Sequence, residues 1–210
     1  MWTRIIVGSL AGTVVAFLYG FITWAALDLW SGKVHSVPQD LDMGALVVRG
    51  LPEDGMYAFP AFDKERLAKV GESSPEGQKL TEEWAARYRQ GPVGYVLVRK
   101  AGLEPMGPSN FVFSIGADFL CAFLMAFFVV GTACPSWAGR WTYGMLVAMF
   151  AALVANANDF SWMHFPSSYV AYDMADIFLK WTIVSAAVAA AIKPTSACPF
   201  HRAPAGAAAQ

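Results

Sequence analysis

Asp118 and Lys180 stand out chemically because each is the one charge in a long apolar stretch. Asp118 is the only charge between Phe111 and Gly139, and Lys180 the only one between Asp176 and Lys193. An ionised side chain at the centre of a bilayer costs about 2.5 to 3.5 kcal/mol on insertion scales, so it usually acquires a partner. At the helical rise per residue, both lie about 10 Å below the outer end of their stretches. Their matching depths predict an Asp118–Lys180 ion pair inside a helix bundle. Asp173, Asp176 and Lys180 are spaced i, i+3 and i+7 and share one helix face, so Asp176 can also pair with Lys180 along the helix. Asn156 joins Asp118, Asp176 and Lys180 in an intramembrane polar cluster. Asn158, Asp159, His164 and Asp173 form a second cluster at the outer surface.

These groups could fix helix register, pass protons or ions, or hold a metal. Asp159, His164, Asp173 and Asp176 are the candidate metal ligands. One histidine among carboxylates is permissive chemistry, and it lacks the two helix-facing histidines of an HExxH site. Cys198 and His201, in a CPxH tetrapeptide, could join Cys134 around a metal or haem, but that tetrapeptide is too short to specify either. No Ser/His/Asp set or phosphate-binding glycine loop is present, so no catalytic residues and no cofactor are assigned. His35 is read as structural or solvated.

The elements that position these residues follow from the distribution of charge. Charged residues make up 15% of the 210-residue chain, against about 25% in an average soluble domain. They crowd into residues 30–104 and vanish from residues 5–27. Four apolar runs follow, over residues 5–29, 111–133, 141–155 (extendable to 158) and 174–192. A helix needs about 20 residues to cross a bilayer core. The first run exceeds the roughly 7–15 apolar residues of a signal peptide and ends on a poor cleavage site, so it is read as an uncleaved anchor. Gly8, Gly12, Ala16 and Gly20 are four apart on it and form a small-residue packing face. This face serves intramolecular packing or a homo-oligomer.

The expected fold is thus an all-α transmembrane bundle of four helices with a small α+β extracytoplasmic domain inserted between helices 1 and 2. The divisions are residues 1–29 (first helix), 30–110 (inserted domain), 111–193 (helices 2–4) and 194–210 (a disordered cytoplasmic tail). Within the insert, residues 56–60 and 94–99 read as strands and 75–90 as a helix. Ser74 is its N-cap, Gly91 its stop, and Leu80, Trp84 and Tyr88 its apolar stripe. Shorter helices are expected over residues 41–48 and 64–69. About eighty residues is a marginal core, so the insert is expected to lean on the bilayer, on the His164 loop or on a partner.

Orientation comes from basic flanks. Arg4, Arg140, Lys193 and Arg202 fall on one side of a four-span topology, and the loop at 159–173 has no Lys or Arg. Both termini are therefore placed in the cytoplasm. Trp30, Trp162, Tyr169 and Tyr172 would anchor the outer interface, and Trp2, Trp137 and Trp141 the inner one. A formal net charge of -1 offers no basic face for nucleic acid. The cysteines, Cys121, Cys134 and Cys198, all lie outside the insert, which therefore has no disulfide framework.

LPEDGMYAFP (51–60), RYRQGPVGYVLVRKAGLEPM (87–106) and NDFSWMHFPSSYVAYDMADIFLKW (158–181) resemble an uncharacterised family of small four-span bacterial integral membrane proteins. The resemblance implies a bacterial source and the cell inner membrane, and carries no activity. The leading expectation is a non-enzymatic scaffold or accessory subunit that meets a membrane-protein partner or a second copy. A small transporter or proton/ion-handling protein is the alternative, and an outer-surface metal-dependent enzyme the third.

Overall fold

The structure is a computed structural model that describes residues 1–29, 31, 34–38, 40–132 and 136–192. Trp30, Cys134, Lys193, Cys198, His201, Arg202 and the expected tail lie outside the described residues. The chain divides into two units, Met1–His35 with Glu104–Gln210, and Ser36–Leu103.

The first unit holds four helices long and apolar enough to cross a membrane. They are α1 (Trp2–Gly20, continued as a π-helical turn over Phe21–Ala26), α5 (Pro108–Gly131), α6 (Trp137–Ser161) and α7 (Ser167–Ala191). Both α6 and α7 exceed the expected lengths. The segment 159–173 expected as a loop is helical except at residues 162–166. Polar residues at the ends of α6 and α7 depress hydropathy there, but partners on neighbouring helices satisfy them, as described below.

The core of this unit is Ile5, Ala16, Met125, Ala126, Val129, Val184, Val188 and Ile192. Phe113 (79% exposed) and Phe150 (68%) point outward. A helix that is apolar all round must be buried in a core or in lipid. α7 packs on α6 and α1, and α1 also packs on α5. Small residues allow these approaches. A Cβ at Gly12 would stand 2.9 Å from both Ala122 Cβ and Val188 Cγ2, and one at Gly8 2.9 Å from Ile192 Cδ1. Ala16 is fully buried. The expected packing face thus holds at Gly8, Gly12 and Ala16 within one chain. It fails at Gly20, whose Cβ position is open. Here the helix widens into the π-turn, so the four-residue spacing no longer tracks the inward face. The Ser9 and Thr13 hydroxyls, also buried, donate to the carbonyls of Ile5 (2.7 Å) and Ser9 (2.8 Å), so α1 satisfies them internally.

Gly144 on α6 sits against buried Ser185 on α7, and a Cβ there would overlap the Ser185 Cβ. Gly144→Ala is therefore expected to destabilise the folded chain by about 1–3 kcal/mol, the usual cost of overpacking. Thermal unfolding in detergent measures it, with Gly116→Ala, whose Cβ position is open, as control.

The second unit is built on local signals. α2 (Met43–Gly50), α3 (Lys64–Val70) and α4 (Pro75–Gln90) are N-capped by Asp42, Asp63 and Ser74. Each cap oxygen accepts from a backbone N–H three residues on, at 2.8–2.9 Å, satisfying one orphan donor of the first turn. Gly91 ends α4 at φ 70, a region that favours glycine. β1 (Gly55–Phe59) and β2 (Gly94–Val98) pair antiparallel, with Tyr57 opposite Val96. Trp84 packs on Phe62 and Tyr88, each with centroids 5.0 Å away, and its indole N–H donates to the Pro60 carbonyl (3.1 Å). Leu67 and Val98 are this unit's buried hydrophobics. The exposed Arg66–Glu76 pair (2.8 Å) joins α3 to α4. Its hydrogen bond and charge raise the Arg66 pKa, but a pair this exposed adds little stability.

Candidate functional site: the polar face of α7

Among the described residues, three side chains of α7 bond to side chains on three different helices. Asp173 Oδ2 accepts from Asn156 Nδ2 on α6 at 3.2 Å. One turn on, Asp176 Oδ1 accepts from the Tyr19 hydroxyl on α1 at 2.8 Å. One further turn on, Lys180 Nζ donates to Asp118 Oδ1 on α5 at 2.7 Å. The expected Asp118–Lys180 pair is thus formed, with side-chain exposures of 14% and 24%. The Lys180 ammonium also lies 5.4 Å from the Trp181 ring centroid, within cation–π range. Asn156 is 1% exposed and gives a second bond to the Ala152 carbonyl (3.1 Å).

The spacing i, i+3, i+7 spreads these groups over about 10 Å of helix axis. The slight rotation between them aims each at a different neighbour. The chemistry of the arrangement is complementary: carboxylates meet an amide, a phenol and an ammonium. Charge-assisted bonds of this kind are roughly twice as strong as neutral ones. Between helices such contacts specify register, and removing one partner is costly because it leaves the other buried and unpaired.

Comparison with known proteins returns no match to any family model, curated protein or solved structure. The site must therefore be read from its own geometry.

The outer-surface cluster is not gathered into one centre. Asp173 faces Asn156 and Asp176 faces Tyr19. Asn158 contributes its carbonyl, which accepts from the Trp162 and Met163 N–H groups (2.9 and 3.2 Å). The Asp159 carbonyl accepts from Phe165 N–H (3.0 Å). His164 occupies the turn between α6 and α7 at φ 52, a left-handed conformation that reverses the chain there. Among the described residues, no three His, Cys, Asp or Glu side chains come together to hold a metal. Of the expected metal set Asp159, His164, Asp173 and Asp176, the two α7 carboxylates bond to side chains on different helices.

A second group of ties was not expected. Arg140 on α6 is 6% exposed and donates through Nε and Nη2 to the Ala189 carbonyl (3.3 and 3.1 Å). Ala189 lies in the last turn of α7, where carbonyls lack helical partners and a cation complements the helix dipole. The Trp137 and Trp141 indoles stack at 5.0 Å and donate to the Ala186 and Thr182 carbonyls, each at 3.1 Å. At the other end of the helix, the Tyr172 hydroxyl donates to the Leu29 carbonyl at 2.8 Å. These aromatic residues read as interface anchors, but their polar atoms bind neighbouring backbone. The sequence signal, an aromatic at a span end, does not distinguish the two roles.

A cavity of about 340 Å³ in this unit lies between α5 and α6, lined by Met125, Phe128, Val129, Tyr143, Gly144 and Val147. It is apolar and is not lined by any of the tied residues of α7.

Proposed function

We propose that this chain is a non-enzymatic integral protein of a bacterial cytoplasmic membrane, a scaffold or accessory subunit. Its four helices anchor residues 36–103 on the outer side, where they meet a partner protein, and both termini lie in the cytoplasm. The observation that carries this reading is the interhelical pairing on α7: Asn156–Asp173, Tyr19–Asp176 and Asp118–Lys180 each join two helices. Polar groups used in this way hold a bundle in one arrangement. The orientation rests on the basic flanks at Arg4, Arg140, Lys193 and Arg202 and on their absence from residues 159–173.

The ion-handling alternative keeps one specific support, the residual 24% exposure of the Lys180 side chain. The discriminating experiment is affinity purification of the tagged full-length protein from its own membranes in mild detergent. A stoichiometric partner is expected, and it is lost when Lys79→Glu and Arg87→Glu reverse charges on exposed α4. A homogeneous protein without a partner, whose liposomes conduct protons or monovalent cations, transfers the assignment to the alternative.

A further inference from the structure

We propose that α2 and the Met56–Leu97 face of the strand pair lie in the headgroup–acyl boundary of the bilayer, with α2 flat on the membrane surface, and that the charged stretch Asp63–Arg89 is what the partner meets. This rests on the reading of the four long helices as membrane spans.

The observation is the confinement of exposed apolar side chains. Within this unit, Met43, Leu46, Val48, Met56, Phe59, Val93, Leu97 and Leu103 are large, hydrophobic and exposed. All fall in residues 43–59 and 93–103, and residues 60–92 contribute none. That middle stretch carries twelve charged residues, from Asp63 to Arg89, while the flanking segments mix their apolar side chains with Asp40, Asp42, Arg49, Glu53, Asp54, Arg99 and Lys100. The exposed large apolar side chains of this unit thus fall in the two segments joined directly to a membrane helix, and none falls in the stretch between them. Leu27, Leu29, Val34, Val37 and Leu41 continue the exposed apolar character back to the end of α1, and Met106 (72% exposed) carries it to the start of α5. Leu103 precedes Pro108 by five residues, so it stays within about 18 Å of the span even when the chain is fully extended.

α2 has the composition of an interfacial helix. Its sequence is MGALVVRG, no residue in it is buried, and Leu46 is 61% exposed. The sheet agrees. Met56 and Leu97 are cross-strand partners on one face, at 55% and 79% exposure, while the opposite face holds buried Val98 and the less exposed Phe59 (41%). An apolar surface of this extent on a small unit with two buried hydrophobics needs a cover. A tethered bilayer supplies it at both ends of the unit, at the depth of about 5–10 Å reached by surface-lying amphipathic helices.

The test uses the full-length chain in nanodiscs of phosphatidylcholine and phosphatidylglycerol, with Cys121, Cys134 and Cys198 replaced by Ala. Single cysteines are introduced as Leu46→Cys, Leu97→Cys, Glu82→Cys and Phe113→Cys, all exposed positions, and labelled with an environment-sensitive fluorophore. Phospholipid bearing a nitroxide at the top of its acyl chain is the quencher. Labels at 46 and 97 are expected to lose most of their emission, as does the label at 113, while the label at 82 keeps its emission and responds to aqueous iodide. Labels at 46 and 97 that resist lipid quencher and respond to iodide overturn the proposal. So do labels shielded from both quenchers, because a partner or second copy then covers this side. A label at 113 untouched by the lipid quencher overturns the span reading itself, and the proposal with it.

Discussion

Asp118→Asn is expected to lower the stability of the detergent-solubilised protein by on the order of 3 kcal/mol, because it strands the Lys180 ammonium inside the bundle. Lys180 is 24% exposed and its ammonium is 2.7 Å from the carboxylate it would lose. The magnitude is what discriminates. An interhelical hydrogen bond in a membrane protein averages about 0.6 kcal/mol by double-mutant cycles, so Asn156→Ala, which removes an amide donor, should cost much less. An Asp118→Asn effect no larger than that of Asn156→Ala means that water reaches Lys180 and the charge was never stranded. The double variant Asp118→Asn/Lys180→Met should recover most of the loss, because it removes the charge along with its partner. Thermal unfolding of the wild type, Asp118→Asn, Lys180→Met and the double variant, followed by circular dichroism, gives the cycle, with Asn156→Ala measured beside it. The ion-handling reading makes the opposite prediction: Asp118→Asn keeps its unfolding temperature and loses flux in liposomes.

The features legible in the sequence are those governed by local or one-dimensional rules. α4 occupies Pro75–Gln90, the residues expected from Ser74, Pro75 and Gly91, because caps act within a single turn. The Asp118–Lys180 pair was readable because depth along a helix depends only on residue count. Pairing across the bundle in other cases depends on rotation, which spacing alone does not give. Tyr19 lies in an apolar run and its hydroxyl gave no sign of meeting Asp176 on α7. Arg140 was read as a cytoplasmic flank, yet it is buried against the end of α7. Both ends of α6 and the start of α7 lie beyond the expected bounds for the same reason. Hydropathy treats Arg140, Asn156 and Asp173 as solvated, whereas in the fold each bonds to a neighbouring helix or its backbone. Rotation matters at the α6–α7 turn too: Asp173 and Asp176, three residues apart, bond to different helices.

The second large effect is expected at Gly12. Gly12→Leu should separate α1 from α5 and α7 together, because a Cβ alone would stand 2.9 Å from Ala122 Cβ and from Val188 Cγ2. Neither contact is the tip of a flexible chain: one is an alanine Cβ, and the other is a β-branched methyl on a fully buried valine, stiff at χ1. Overpacking by a few methylenes costs about 1–3 kcal/mol, and a leucine here adds four carbons at a three-helix junction, so the effect should lie at or beyond the top of that range. Gly20→Leu is the matched control, the same change on the same helix and in the same four-residue series, at a position with nothing within 4 Å of its Cβ. If the stripe served contact between copies, Gly20→Leu would disturb the oligomer while Gly12→Leu left the monomer intact. If it serves the bundle, Gly12→Leu alone unfolds it. Detergent unfolding and analytical size exclusion on both variants separate the two cases. A stable Gly12→Leu monomer would show that α1 does not pack through this face, and would remove the framework on which Tyr19 reaches Asp176.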